Sequence, residues 1–407
     1  MRNFRWTAAA ASLALLAAAG TAAADSAPAA PAAPAKPTLA DIFTASGLTA
    51  TGYVDATFSA FGYSGSQLIG GLEQPASGGY DTFNFQQAGL TLAYQPATGF
   101  GALINPVVTP YSSVYVNNYA PDANYYLHSA GFSPGSPTVT ILQGYGQYAS
   151  GKWTVIAGKF ATLAGAEVYA PSGNTNVTRS LLFTFEPVTH TGVRATFAAN
   201  SMFSFIIGVN NGWWVFGDEN STGAPKTLEV GVSLNPTKTL AWTVQDYYGN
   251  DLNNYGTRSN LEFFDTVLTW TATSQLTLIG SLDYGNVASG TATPSADWWG
   301  VAGYLNYQFN PKWRVSLRGE YLDDKNGYLT EVSNPSLFVS GSPLYAPGEE
   351  TLKEVTLTFG WDPVSHLEFR IEGRYDDPDS VKPAPGGPSV DVYSKTEQGW
   401  LEALYHF

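Results

Sequence analysis

Between Gly47 and Phe407 the sequence repeats one pattern: an extended segment with apolar residues at every second position, a tight turn, a second such segment, then a longer polar stretch. Period two is the repeat of a β-strand, whose successive side chains point to opposite faces. In the first segment Leu48, Ala50, Gly52, Val54, Ala56 and Phe58 share one face, and Thr49, Thr51, Tyr53, Asp55 and Thr57 share the other. Later hairpins are sharper. Leu228, Val230, Val232 and Leu234 approach Asn235-Pro236-Thr237-Lys238, and Leu240, Trp242 and Val244 leave it. Trp299 to Phe309 meets Asn310-Pro311-Lys312 and continues from Trp313, while Val355 to Trp361 meets Asp362-Pro363 and returns from Leu367. Proline fixes φ and cannot donate to a ladder, so these pairs mark the short-turn side of each hairpin.

The pattern predicts strands near 47–59, 83–95, 100–108, 138–149, 152–162, 188–199, 202–210, 227–235, 238–248, 260–271, 275–285, 297–309, 312–322, 352–361, 366–375 and 396–407. That is sixteen, an even number that returns both ends of the run to one side. Pro106 makes 100–108 the weakest of them, and fourteen or eighteen strands remain open.

Soluble sandwiches also alternate, so composition has to decide what lies outside the sheet. Only 13% of residues are charged, against about 25% in soluble domains, and aromatics reach 14%. Mean hydropathy is −0.08. After the first 24 positions there is no apolar run of the length a membrane helix needs, about 20 residues. Few charges, many aromatics and no long apolar run describe a transmembrane barrel, in which lipid-facing and lumen-facing residues cancel in any window. Trp153, Trp242, Trp270, Trp313 and Trp361 all lie close to short turns. That clustering predicts an aromatic girdle at the periplasmic interface rather than the scattered core Trp of a sandwich. The last strand alternates too: Leu401, Ala403, Tyr405 and Phe407 oppose Glu402, Leu404 and His406. A strand ending on Phe resembles the closing strand of bacterial outer-membrane β-barrels. The expected fold class is therefore all-β: a transmembrane antiparallel β-barrel with short periplasmic turns and long external loops.

The N-terminus predicts export. Arg2 and Arg5 precede an Ala/Leu-rich run from Ala8 to Ala19, and Ala22-Ala23-Ala24 offers small residues for cleavage, so residues 1–24 are expected to be a signal peptide. Its loss would move the formal charge from −14 to −16. Residues 25–46 open with the Ala/Pro-rich stretch carrying Pro28, Pro31, Pro34 and Pro37, expected to form a stiff periplasmic segment. Residues 47–407 are the barrel. The absence of cysteine fits an exported chain.

A more specific match begins at Ala157-Gly158-Lys159-Phe160. It continues through Gly165-Ala166-Glu167, Asn174-Thr175-Asn176, Arg179-Ser180, Pro187 to Arg194, and Gly208-Val209-Asn210-Asn211-Gly212-Trp213. With Gly52-Tyr53-Val54-Asp55 near the first strand, these residues resemble the OmpL-like β-barrel porin family over 47–407. The resemblance implies a passive pore in the bacterial outer membrane, in contact with outer-membrane lipid, passing small hydrophilic solutes or ions, and assembled as a homotrimer. The alternative is a non-conducting barrel acting through its outer loops as an adhesin or envelope scaffold.

A lumen tolerates charges that would cost about 2–4 kcal/mol on the lipid face at mid-membrane. By alternation Arg314, Arg318 and Glu320 point inward on one strand, Glu354 on the next, and Glu368, Arg370, Glu372 and Arg374 on the one after. A ladder of both signs either sets a transverse field at a constriction or ties the wall together by mutual salt bridges, and the sequence leaves both open. The segment from Ala161 to Pro187, carrying Glu167, an Asn/Thr-rich patch and Arg179, is the third outer loop by this count. In sixteen-stranded porins that loop narrows the lumen, so the resemblance implies the same here; the alternative is an ordinary solvent-exposed loop. Lys159 and Arg194 flank it. Asp323-Asp324, Glu349-Glu350 and Asp376-Asp377 with Asp379 are expected in outer loops, forming an acidic mouth.

Other functions find little support. Four His (His128, His190, His366, His406) show no zinc spacing and no Gly-x-Ser-x-Gly elbow is present. His190 beside Arg194 on an inward face could serve as a lumenal base; the alternative is a satisfied or wet histidine. No catalytic residue, cofactor or metal site is assigned, and the acidic balance disfavours nucleic acid.

Overall fold

The computed structural model describes residues 43, 45–61, 82–109, 138–212, 226–252, 258–289, 295–325, 350–378 and 395–407. The expected signal peptide (1–24) and nearly all of the segment 25–46 lie outside them, as do Trp213, Glu349, Asp379 and His128.

Sixteen strands follow in order: β1 (Thr49–Phe61), β2 (Thr82–Tyr94), β3 (Gly99–Thr109), β4 (Thr138–Ser150), β5 (Trp153–Ala161), β6 (Thr189–Ala198), β7 (Phe203–Asn211), β8 (Lys226–Thr237), β9 (Leu240–Leu252), β10 (Arg258–Thr271), β11 (Leu276–Val287), β12 (Ala296–Asn310), β13 (Trp313–Asp324), β14 (Glu350–Val364), β15 (Leu367–Pro378) and β16 (Thr396–His406). Each pairs antiparallel with its neighbours in sequence, and β1 pairs with β16 to close the barrel. Closure removes every sheet edge, the condition under which strands can cross a bilayer. Outside the bulges the two faces alternate: Tyr53, Asp55, Thr57 and Ser59 are buried toward the inside, while Val54, Ile207, Leu282, Leu317, Leu357, Ile371 and Leu401 are exposed outside. An apolar belt of that extent has no place on a soluble monomer. It is the lipid face.

The β1–β16 seam continues to Phe407. Phe407 N–H donates to Gly52 O and Gly52 N–H donates to Phe407 O, both at 2.9 Å. The Phe407 ring lies over Gly52, where a Cβ would sit 2.5 Å from Phe407 Cζ and 2.8 Å from Gly89 O. Only glycine fits that position.

The five Trp near the turns all point outward, as expected, with Trp153 50% exposed and Trp313 47%. Trp313 and Trp361 are register partners with stacked rings, centroids 5.6 Å apart, and Phe369 continues the stack at 5.7 Å. Trp242 keeps its indole N–H satisfied by donating to Thr266 Oγ1 at 2.7 Å.

Three local expectations need correction. Pro236 and Pro363 are not in the turns; they sit in the bulged ends of β8 and β14, where the register shifts between Leu234 and Thr237 and between Trp361 and Val364. A bulge interrupts the ladder, so a residue without N–H is tolerated there. The turn after β14 is Ser365-His366, with His366 at φ 72°. Pro106 likewise falls at a register shift in β3, so that strand survives it. The second correction concerns the acids. Asp323, Asp324, Asp376 and Asp377 belong to the ends of β13 and β15, not to loops, and Asp324 and Asp376 are buried inward. The third is Lys159, whose register partners Gly144 and Thr191 belong to the outward row that continues into the exposed Val193. It leaves the expected lumen set; at the strand end its stem can lie along lipid with the ammonium reaching the interface.

Candidate functional site

The connection from β5 to β6, residues 162–188, is inside the barrel. It includes one 3-10 turn (Pro171–Gly173) and one short helix, α1 (Leu181–Phe185), capped where Ser180 Oγ accepts from Phe183 N–H at 2.9 Å. Asn176, Thr178, Ser180 and every residue of α1 are buried, which a loop lying over the outer surface would not achieve.

Polar anchors fasten its middle to β13–β15. Glu372 accepts Val177 N–H at 2.6 Å, Thr178 N–H at 2.8 Å and the Thr178 hydroxyl at 2.6 Å, and is held from the wall by the Thr358 hydroxyl at 2.6 Å. Guanidinium groups meet the loop's carbonyls in turn. Arg314 donates to Thr175 O at 2.7 Å, Arg318 to Thr178 O at 2.7 Å, Arg374 to Arg179 O at 2.7 Å, and Arg370 to Pro171 O at 3.3 Å. Backbone groups that leave regular structure inside a barrel need such partners. The ladder of both signs supplies donors for the carbonyls and acceptors for the N–H groups.

The same side chains neutralise one another. Arg318, fully buried, contacts Glu167 at 2.9 Å and Glu320 and Glu354 at 3.0 Å. Arg370 bridges Glu368 (2.7 Å) and Glu402 (3.0 Å), Arg314 pairs with Glu368 at 2.5 Å, and Arg374 with Asp376 at 2.8 Å. Glu320 also accepts Leu182 N–H at 3.2 Å, and Glu167 accepts Ser180 N–H at 2.6 Å. Arg179 turns back on its own loop, donating to the carbonyls of Val168, Val177 and Tyr169. Arg194, at the loop's foot, makes a two-pronged contact with Glu229 (2.7 and 3.0 Å) and donates to Ala161 O at 3.0 Å.

Apolar packing seats the other half of the loop. Leu181, Leu182 and Phe185 join Leu261, Phe263, Trp298, Leu322 and Leu352, inward-facing residues of β10, β12, β13 and β14. Each such side chain taken fully out of water is worth about 1.5–3 kcal/mol. The expectation of a uniformly wet lumen is corrected here: part of the inner wall is an apolar seat for α1.

Sequence reasoning missed this seat, together with Glu229, Asn210 and Tyr247 around Arg194 and the acids Glu186, Asp265 and Asp283. The signal existed as apolar residues at inward positions, which reads as a lapse in alternation unless something inside must be covered. His190 is fully buried and stacked on Tyr247, centroids 4.8 Å apart, so it is not a lumenal base.

Comparison with known proteins gives these features a context. No curated protein sequence matches the chain significantly. The outer membrane channel DcaP of Acinetobacter baumannii is 14% identical, covering 88% of this chain and 97% of that one at a TM-score of 0.57. In-vitro folded OmpT of Vibrio cholerae in its trimer form is 12% identical over 88% and 99%, TM-score 0.55. An anion-selective porin from Comamonas acidovorans is 10% identical over 88% and 99%, TM-score 0.55. At such identities the likeness is one of fold. The model of the family described as "Putative beta-barrel porin-2, OmpL-like" matches residues 47–407, the span that carries the alternation, the closing strand and the lumenal loop. This chain belongs to that OmpL-like porin family, and its barrel is one of the bacterial outer membrane.

Proposed function

We propose that the protein is a passive pore for small hydrophilic solutes or ions, whose bore is the part of the lumen left beside the seated loop. The observation that carries this reading is the anchoring of the loop's middle, Pro171 to Arg179, to β13–β15 through Glu372 and four arginines. A loop fastened at fixed points inside a barrel narrows the channel and fixes its cross-section, whereas a loop left free would fluctuate across it. In this reading Arg314, Arg318, Arg370 and Arg374, with Glu167, Glu320, Glu354, Glu368 and Glu372, act as the frame of the constriction. Their field is that of tightly paired charges, so it is short-ranged. Arg179 stiffens the loop and Arg194 fixes its start. The acidic surplus of the chain enriches cations near the mouth.

Purified protein in a planar bilayer tests this. Stepwise conductance supports the pore; folded protein that leaves bilayers sealed refutes it and favours a scaffold role. We further propose a homotrimer, supported by the family and by the trimer form of the Vibrio cholerae protein, and removal of residues 1–24, which the mass of the membrane-extracted chain tests.

A further inference from the structure

The loop's return to the wall is built differently from its middle. Just before β6, Glu186 reaches Asp265 of β10 and Asp283 of β11, and one carboxylate oxygen from each lies within 4.8 Å of the others. Asp265 and Asp283 are direct cross-strand partners. Like charges so placed repel, and burial removes the water that would screen them. Both are almost fully buried, and no basic side chain pairs with any of their four carboxylate oxygens. This sets them apart from every acid in the β13–β15 ladder that meets an arginine. Glu186 is brought in by close approach: Gly165, at φ +84°, lies against its carboxylate, and a Cβ there would collide with it.

We propose that Glu186, Asp265 and Asp283 bind a hard divalent cation of the Ca²⁺ class, which clamps the end of the lumenal loop to β10 and β11. Oxygen atoms bound to Ca²⁺ lie 2.3–2.6 Å from it, so two of them can be at most about 5 Å apart; the triad meets that limit. Three carboxylates supply the charge, and each can bind through one or both oxygens. The cation does for this end of the loop what the arginines do for its middle, supplying the positive charge that the buried acids lack. Trp298 is close enough to report it. It stands two residues before Gly300, the register partner of Asp283, about 7 Å along the strand.

The test uses the full chain folded in detergent micelles, with Tb³⁺ and Ca²⁺ as probes. Wild-type protein is expected to show Trp-sensitised Tb³⁺ emission that Ca²⁺ competes away, and a higher melting temperature in Ca²⁺ than in EDTA. Asp265→Asn/Asp283→Asn is expected to weaken Ca²⁺ binding at least 10-fold and to abolish the Ca²⁺-dependent melting shift. Asp323→Asn/Asp377→Asn, at the outer strand ends, is expected to keep both. Glu186→Gln, a loop change that leaves every strand untouched, should also lose the shift, which protects the test if the double variant fails to fold. A wild-type protein whose melting ignores Ca²⁺, or binding that survives in the Glu186 and Asp265/Asp283 variants, overturns the proposal. The readout is binding and melting rather than current, so it stands or falls apart from the pore reading.

Discussion

Glu372 fastens the middle of the loop to the wall, and Glu372→Ala has a sharp consequence. Its carboxylate accepts three bonds from the loop: Val177 N–H, Thr178 N–H and the Thr178 hydroxyl. Bonds to a charged group are worth about 1.5–3 kcal/mol each, and a buried donor left unpaired costs about 1–3 kcal/mol. The three are not additive, and water entering the gap recovers part of the loss, so about 3 kcal/mol is a conservative figure for loop docking. At 1.4 kcal/mol per decade that is roughly a 100-fold rise in the undocked population. The barrel should survive, because no inter-strand backbone bond is removed. Hydrogen exchange in micelles is the assay: the Val177 and Thr178 amides should exchange on the order of 100-fold faster, while amides of β10–β12 stay unchanged. Single-channel recordings should become noisier. Unchanged protection at Val177 and Thr178 would refute the argument, since it would mean that apolar seating of α1 alone fixes the loop.

Other consequences concern closure, the buried charges and the interface. Gly52→Leu places a side chain where the Phe407 ring lies; overpacking of this kind costs about 1–3 kcal/mol and should lower the yield of the heat-modifiable folded band on gels, whereas Gly280→Leu, with no atom near its Cβ position, should not. Arg318→Gln leaves Glu167, Glu320 and Glu354 without their shared cation; breaking a buried pair costs about 3–5 kcal/mol, so melting should fall clearly, and reversal potentials under a salt gradient should move toward cations. Fluorescence from Trp313 and Trp361, exposed on the outer face beside the turns, should be quenched by lipids brominated near the headgroup more than by lipids brominated at the chain ends.

The barrel was legible because lipid outside and water inside impose a period of two that no other environment imposes over so many segments. All sixteen strands were located from that period, most ends within two residues, though β9 runs on to Leu252 where the pattern stopped at 248. Beyond 248 the sequence reads Gly-Asn-Asp-Leu, with too few apolar residues to extend the pattern. The inward direction of Arg314, Arg318, Glu354 and Arg370 was legible for the same reason. Their partners were not. Glu372 meets Thr178 across 194 residues, and nothing local in the sequence records such a meeting. Leu261, Phe263 and Trp298 were hidden in another way: alternation assigns them to water, and only the apolar run Leu181–Phe185 across the lumen explains them. Asp265 and Asp283 could have been paired by strand register, but Glu186 joins them only because the loop folds inward.

The proposed pore requires that the loop stay docked inside the barrel. Asn176 donates to Thr358 Oγ1 at 2.6 Å, and the chain has no cysteine, so Asn176→Cys/Thr358→Cys offers a clean disulfide between loop and wall. Recorded in a planar bilayer before and after reduction, the oxidised variant should be fully cross-linked and conduct with the same unit step in both states, because the bond fixes a contact already made. A pair that fails to cross-link, or a step that changes markedly on reduction, would place the loop elsewhere and contradict the account.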